Sequence, residues 1–168
     1  MIFDPEIYCS AAEVAELDGT EPLTLTGSGL WVGVLSRGVC LLDGFDRPGQ
    51  SGDILLGAAP LTLTPRTDCH LLGVRLAGRC TDAYLLQLGV PRWADGAACP
   101  GAAELLAQLH GVRTPAMAYA LLCAIDRADE TARPLPPLVA EAVAAIRQNY
   151  MALYGVEELS EQLGVTKS

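Results

Sequence analysis

The sequence predicts an α+β fold in which a β-rich first half, a small barrel or jelly-roll sandwich, gives way to helices. Three observations carry this. Between Pro22 and Gly78, short apolar runs rich in Val, Leu and Thr are broken by Gly and Pro, which is the pattern of antiparallel strands. After Gly78 the apolar spacing becomes helical, most clearly in the stripe Met117, Leu121, Leu122, Ile125 and Ala128. The chain has 168 residues, 51% of them hydrophobic, so it makes one domain, or one domain and a further piece, around a substantial core.

In chain order, Ser10 to Leu17 reads as a short helix, because Ser10 can cap it and Glu13 can close a capping box. Strands are expected at Leu23–Thr26, Leu30–Leu35, Val39–Leu42, Asp53–Leu56, Leu61–Thr64 and Cys69–Leu76. The turns Ser36–Gly38, Asp43–Gly52 and Pro65–Asp68 connect several of them. Such a set closing on itself forms a barrel or jelly roll. Helices follow at Thr81–Leu88, Gly101–His110 and Thr114–Ala128. The far side of the last one, Tyr119, Ala120 and Cys123, carries no charge. That helix is therefore expected to be covered twice, by the barrel and by a second copy of the chain in a homodimer. Thr131–Pro137, TARPLPP, reads as a stiff linker.

Beyond it, Val139, Ala142, Val143, Ile146 and Tyr150 lie on one face of a helix that starts after Pro136 and Pro137. Gly155 stands at the cap position of a second helix with the stripe Val156, Leu159 and Leu163, and Gly164 ends it. Val165 fills the corner, and Thr166 caps a third helix of which Lys167 and Ser168 remain. This is the beginning of a helix-turn-helix, stopping where the recognition helix would follow. The expected organisation is a domain over 1–130, a linker over 131–137 and a partial helix-turn-helix over 138–168.

Composition removes several function classes. Net charge is -9 and Lys167 is the one lysine, so this chain alone is not expected to hold a phosphate backbone. Met1 to Ser36 has no Lys or Arg and six carboxylates, which does not resemble a cationic signal peptide, and the longest apolar helical stretch is too short for a bilayer. A cytoplasmic protein is expected. The six cysteines form no C-x-x-C pair and read as small buried thiols. Two histidines, His70 and His110, are too few for a metal site, and His110 reads as a cation at a helix C-terminus. There is no G-x-S-x-G, no phosphate-cradling glycine loop and no H-E-x-x-H. The expectation is therefore a protein that is not an enzyme, with no metal and no cofactor.

A barrel can instead hold a small molecule. Trp31, alternating with Gly33 and Leu35, is the candidate wall, because an indole beside a glycine leaves room for a planar or sugar-like ligand. Arg75 is the candidate polar anchor and His70 a weaker one, since an arginine among apolar neighbours needs a carboxylate of protein or ligand. Trp31 serves equally as a core residue, and Arg75 equally as a partner of a nearby acid.

Two sets of motifs resemble the AraC family of bacterial transcriptional regulators. One is IRQNY with VEELSEQLGVTKS, where Ile146, Asn149, Tyr150, Leu159, Leu163, Gly164, Val165 and Ser168 fall at the family's positions. Gly155 replaces a common Ser or Thr cap, and Ser160 replaces a usual small Ala. The other is a strand ending in SRG, then DGFDRPGQ, SGDILL and CHLLGVRLAG, with Gly52 and Asp53 matching the step that turns the chain into an inner strand. The resemblance implies a cupin-like jelly-roll barrel that binds a small-molecule effector, a helical dimerisation segment, and helix-turn-helix units on promoter DNA. It further implies a sensing domain cut within its first helix-turn-helix, with Lys167 and Ser168 near DNA only in a longer protein. Two alternatives stand beside it: a small metal-independent cupin enzyme, and a dimerisation module whose barrel is filled by its own side chains.

Overall fold

The protein is described here by a computed structural model, in which residues 4–132 and the single positions Val139 and Ala142 are described. The chain divides into two compact units, Met1–Thr131 and Ala132–Ser168. The helix pair, Lys167 and Ser168, and most of the linker read from the sequence lie outside the described residues.

Among the described residues, nine strands build two antiparallel sheets: β1 (Ser10–Gly19), β2 (Leu23–Leu25), β3 (Leu30–Arg37), β4 (Val39–Leu42), β5 (Gly49–Gln50), β6 (Ile54–Ala58), β7 (Leu61–Pro65), β8 (Cys69–Ala77) and β9 (Arg92–Ala94). The larger sheet runs β1-β8-β3-β6-β9 and the smaller β2-β7-β4-β5. Among the described residues, three helices follow β8: α1 (Arg79–Leu88), α2 (Ala102–Gly111) and α3 (Pro115–Ala132), with β9 between the first two. The fold is thus α+β, as expected. Neither sheet closes on itself among the described residues, so the strands form an open two-sheet sandwich.

The larger sheet is covered on both faces, and this explains why its central strands read as almost continuous apolar runs. In β3, Leu30 and Val32 join the helix-side core with Tyr84, Leu106, Leu121 and Ile125. Trp31 and Leu35, on the alternate side, join Leu25, Leu42, Leu63, Leu71 and Trp93 between the sheets. Trp31, Leu35, Leu55, Leu63 and Leu71 are each at most 1% exposed.

The stretch Ser10–Leu17 is a correction: it is the edge strand β1, not a helix. It pairs along β8, with Glu13 opposite Arg75 and Asp18 opposite His70. Ala and Glu favour helix, but pairing decides here, because Val14 faces the helix-side core while Ala15 and Leu17 face the sandwich. The six expected strands and three expected helices are all present, within a few residues of the expected ends. Two short strands were not expected, β5 inside the Asp43–Gly52 turn and β9. On α3, Leu122 is 6% exposed and belongs to the core, whereas Tyr119 is 52% exposed.

Candidate functional site

Three places in the first unit gather polar or reactive groups. The first is the turn at Gly52 and Asp53. Gly52 has φ of +97°, a backbone region that favours glycine. Its N–H donates to Leu35 O at 2.7 Å, and Asp53 O accepts from Leu35 N–H at 3.0 Å, so the turn is sewn to β3. Asp53 is buried, with its side chain 11% exposed, and the carboxylate accepts from Gln50 N–H at 2.9 Å and pairs with Arg47. A charge this buried needs such partners, and here they hold the β5–β6 corner. The group acts as a structural clip.

The second place is the end of the sandwich where Trp31 and Arg75 are cross-strand neighbours. Trp31 Nε1 donates to Thr26 O at 2.9 Å, and the ring lies over Gly73, where an added Cβ would stand 3.6 Å from it. Arg75 donates to Glu13 at 3.0 Å and to Ser28 O at 2.6 Å. The loop Thr26–Gly29 therefore folds over both side chains. Gly29, at φ of +120°, lets its backbone press against Leu76 O in a space no Cβ fits. Arg75 has its carboxylate within the chain, in Glu13, the protein side of the two alternatives its position left open. Trp31, 1% exposed, sits in packed side chains.

His70 is not with them. It projects from the other face of β8, where its ring nitrogens meet Ser36 Oγ at 2.7 Å and Glu16 at 3.0 Å. Arg37 pairs nearby with Asp18 at 2.8 Å and Asp68 at 3.0 Å, so this end of the sheet is a solvated ion-pair network. His110, read as a helix-end cation, does lie in the last turn of α2, and there Nε2 meets Gly73 O of the sheet at 3.0 Å.

The third place was missed by sequence reasoning. On the helix side, Tyr8, Cys9, Cys80, Pro115 and Tyr119 line a groove of about 560 Å³. Cys80 and Tyr119 also line a neighbouring groove of about 280 Å³ with Tyr84, Leu122 and Cys123. The thiols lie at positions 9, 80 and 123, a separation that gives no local spacing to find. Burial pushes the Cys9 thiol up, with Thr81 opposing and the neighbouring Cys80 and Cys123 adding to it. Tyr119 is raised chiefly by its hydrogen bond with Cys123. Sequence reasoning also passed over Trp93, which is 3% exposed and packs on Gly49 so closely that no Cβ fits between them. Among the described residues, no three His, Cys, Asp or Glu side chains are placed to hold a metal ion. None of the described helices is long and apolar enough to cross a membrane.

No protein-family model matches the chain, and no curated protein matches it. Solved structures do. ToxT from Vibrio cholerae O395 aligns at a TM-score of 0.44 and 9% identity, over 94% of this chain and 70% of that one. The AraC-like transcriptional activator CuxR aligns at a TM-score of 0.53 and 13% identity, over 91% of this chain and 66% of that one. This chain thus spans just under two thirds of the length of CuxR, and at 13% identity the likeness is one of fold alone.

Proposed function

We propose that this chain is the effector-sensing and dimerisation part of a cytoplasmic, DNA-binding transcriptional regulator of the AraC type, its two-sheet unit being cupin-like, and that it is not an enzyme. The observation that carries the reading is the fold shared with the activator CuxR over 91% of this chain. The residues IRQNY and VEELSEQLGVTKS after that unit support it, since they resemble the start of a helix-turn-helix. In this reading the first unit pairs through the outer stripe of α3, where Ala116, Tyr119 and Ala120 are exposed. A small-molecule effector shifts the balance between two arrangements of the dimer by binding one more tightly than the other. Promoter DNA is held by a longer protein in which the recognition helix continues past Ser168, and not by this chain alone.

A second reading has a specific observation behind it. The space between the sheets holds twelve buried hydrophobic side chains, Trp31 among them, which favours a dimerisation module with no ligand inside the sandwich. The two separate in one assay. The chain is fused to a DNA-binding domain that represses a reporter only as a dimer, and small molecules are screened in parallel by thermal shift. Dimer-dependent repression with a ligand that raises the midpoint supports the sensor, since a ligand at a hundred times its dissociation constant adds about 2.7 kcal/mol. Repression with no ligand effect supports the module. No repression sinks both.

A further inference from the structure

We propose that Ser36 is a covalent acceptor of short acyl groups, taking one group per chain from an activated acyl donor, with His70 removing the hydroxyl proton. The chemistry stands independently of the regulator reading. Side chains from three neighbouring strands meet here, Glu16 on β1, His70 on β8 and Ser36 on β3. Ser36 Oγ lies 2.7 Å from His70 Nδ1, and His70 Nε2 lies 3.0 Å from a Glu16 carboxylate oxygen. An ionised carboxylate only accepts, so Nε2 carries the hydrogen shared with Glu16, and the neutral ring then offers its Nδ1 lone pair to the Ser36 hydroxyl. The hydroxyl has a second acceptor in His70 O at 3.1 Å, the longer of the two contacts. The ring nitrogens exchange the parts they play in a serine-hydrolase relay, and the relay is kept because either nitrogen can accept while the other donates.

A backbone irregularity puts Ser36 in place. The β3–β8 register shifts between Leu35, opposite Leu71, and Arg37, opposite His70, so Ser36 is the extra residue of a bulge, a device that re-aims a side chain. Ser36 is exposed and the His70 side chain is 26% exposed, so a donor reaches the hydroxyl from solvent. Further inward, Val34 and Leu72 are half-buried and opposite each other, an apolar ledge for a short acyl chain. The other charged groups at this end, Arg37, Asp18 and Asp68, pair with one another at 2.8 and 3.0 Å. In the reaction Oγ bonds to the acyl carbonyl carbon, the bond from that carbon to its leaving group breaks with the electron pair going to the leaving group, and the hydroxyl proton passes through His70 Nδ1 to the leaving group. An ester at Ser36 results, and no oxidant or reductant enters. A base this open to water gives modest help, which suits donors whose leaving group departs easily and not amides.

The test treats the whole chain with p-nitrophenyl acetate, strips acetyl groups from thiols with neutral hydroxylamine, and locates the remaining groups by peptide mapping. Ser36 is expected to be acetylated about a hundredfold faster than Ser51, an exposed serine of the adjacent turn that serves as the internal reference. The p-nitrophenolate release that depends on Ser36 should level off at one equivalent. His70→Ala should bring Ser36 down to the Ser51 rate, and added imidazole should restore part of it. Glu16, whose side chain is 56% exposed, is the positioning residue: Glu16→Gln should slow Ser36 several-fold and leave the melting midpoint unchanged. Equal rates at Ser36 and Ser51, or a Ser36 rate that His70→Ala leaves unchanged in a folded chain, overturns the proposal, as does continued release that Ser36→Ala abolishes.

Discussion

Replacing Trp31 with Ala tests whether the space between the sheets is a filled core. The indole is 1% exposed and packs with Leu35, Leu55 and Leu71. Truncating a buried Trp costs about 3–5 kcal/mol in lost transfer free energy and residual cavity. The lost bond from Nε1 to Thr26 O adds only about 0.5–1 kcal/mol, because Thr26 is exposed and its carbonyl returns to water. The expected loss is therefore about 3.5–6 kcal/mol, or some 13–22 °C in the thermal midpoint for a unit of this size. Urea unfolding followed by far-UV circular dichroism measures it. Indole added to the variant should recover part of the loss, since an apolar cavity of that shape binds the fragment removed. A loss below about 1.5 kcal/mol with an unchanged native spectrum would refute the reasoning, because a ring lining an open cavity leaves few contacts behind when removed.

Ala120→Glu should dissociate the proposed dimer and leave the midpoint nearly unchanged, as Ala120 is exposed on α3, while Leu122→Glu should unfold the chain, since Leu122 is 6% exposed in the helix-side core. Light scattering at tens of micromolar with parallel melting curves separates the two, and a monomeric parent sinks the interface. Alkaline pH should destabilise the fold: burial, with Cys69 beside it, pushes the Cys40 thiol from 9.0 up to about 12. Folding thus favours the protonated form, and the stability this group contributes is complete below pH 9 and lost as pH rises towards 12, by at most about 4 kcal/mol. Cys40→Ala should flatten that part of a urea-midpoint profile against pH, and an unchanged slope contradicts the assignment. Chelator treatment should leave the thermal midpoint where it is, and a drop of several degrees, or stoichiometric zinc or iron by elemental analysis, would revive the enzyme reading.

The central strands were legible because both faces of β3, β6 and β8 are buried, which forces apolar runs that turns then punctuate. The Gly52–Asp53 step was reached only through the family resemblance, and the structure adds its physical reason, a positive φ at Gly52 and a buried carboxylate at Asp53. β1 was not, because its Glu13 and Glu16 are there to meet Arg75 and His70 across a pairing of high sequence separation, while read locally they complete a helix signal. β9 escaped for the same reason: Trp93 needs Gly49 opposite it, and nothing in the local sequence couples the two. Of the candidate ligand residues, Arg75 was read as needing a carboxylate of protein or ligand, and spacing cannot say whose; the structure pairs it with Glu13. Alternation places Trp31 and Arg75 on one face of the sheet and His70 on the other, a distinction visible only once the β8 register is known. The thiol groove was invisible because it is assembled from the N-terminal segment and two helices.

The regulator reading is tested most directly by a mobility-shift titration on the promoter beside the gene for this chain, using the 168-residue chain and any longer product of that gene. With 20 acidic residues against 11 basic ones, the chain alone should give no shift at physiological salt. The longer product should bind with sequence selectivity and a steep salt dependence, and Lys167→Ala should weaken it about uniformly across sequences. Tight, selective binding by the 168-residue chain, or no selective binding by the longer product, contradicts the account.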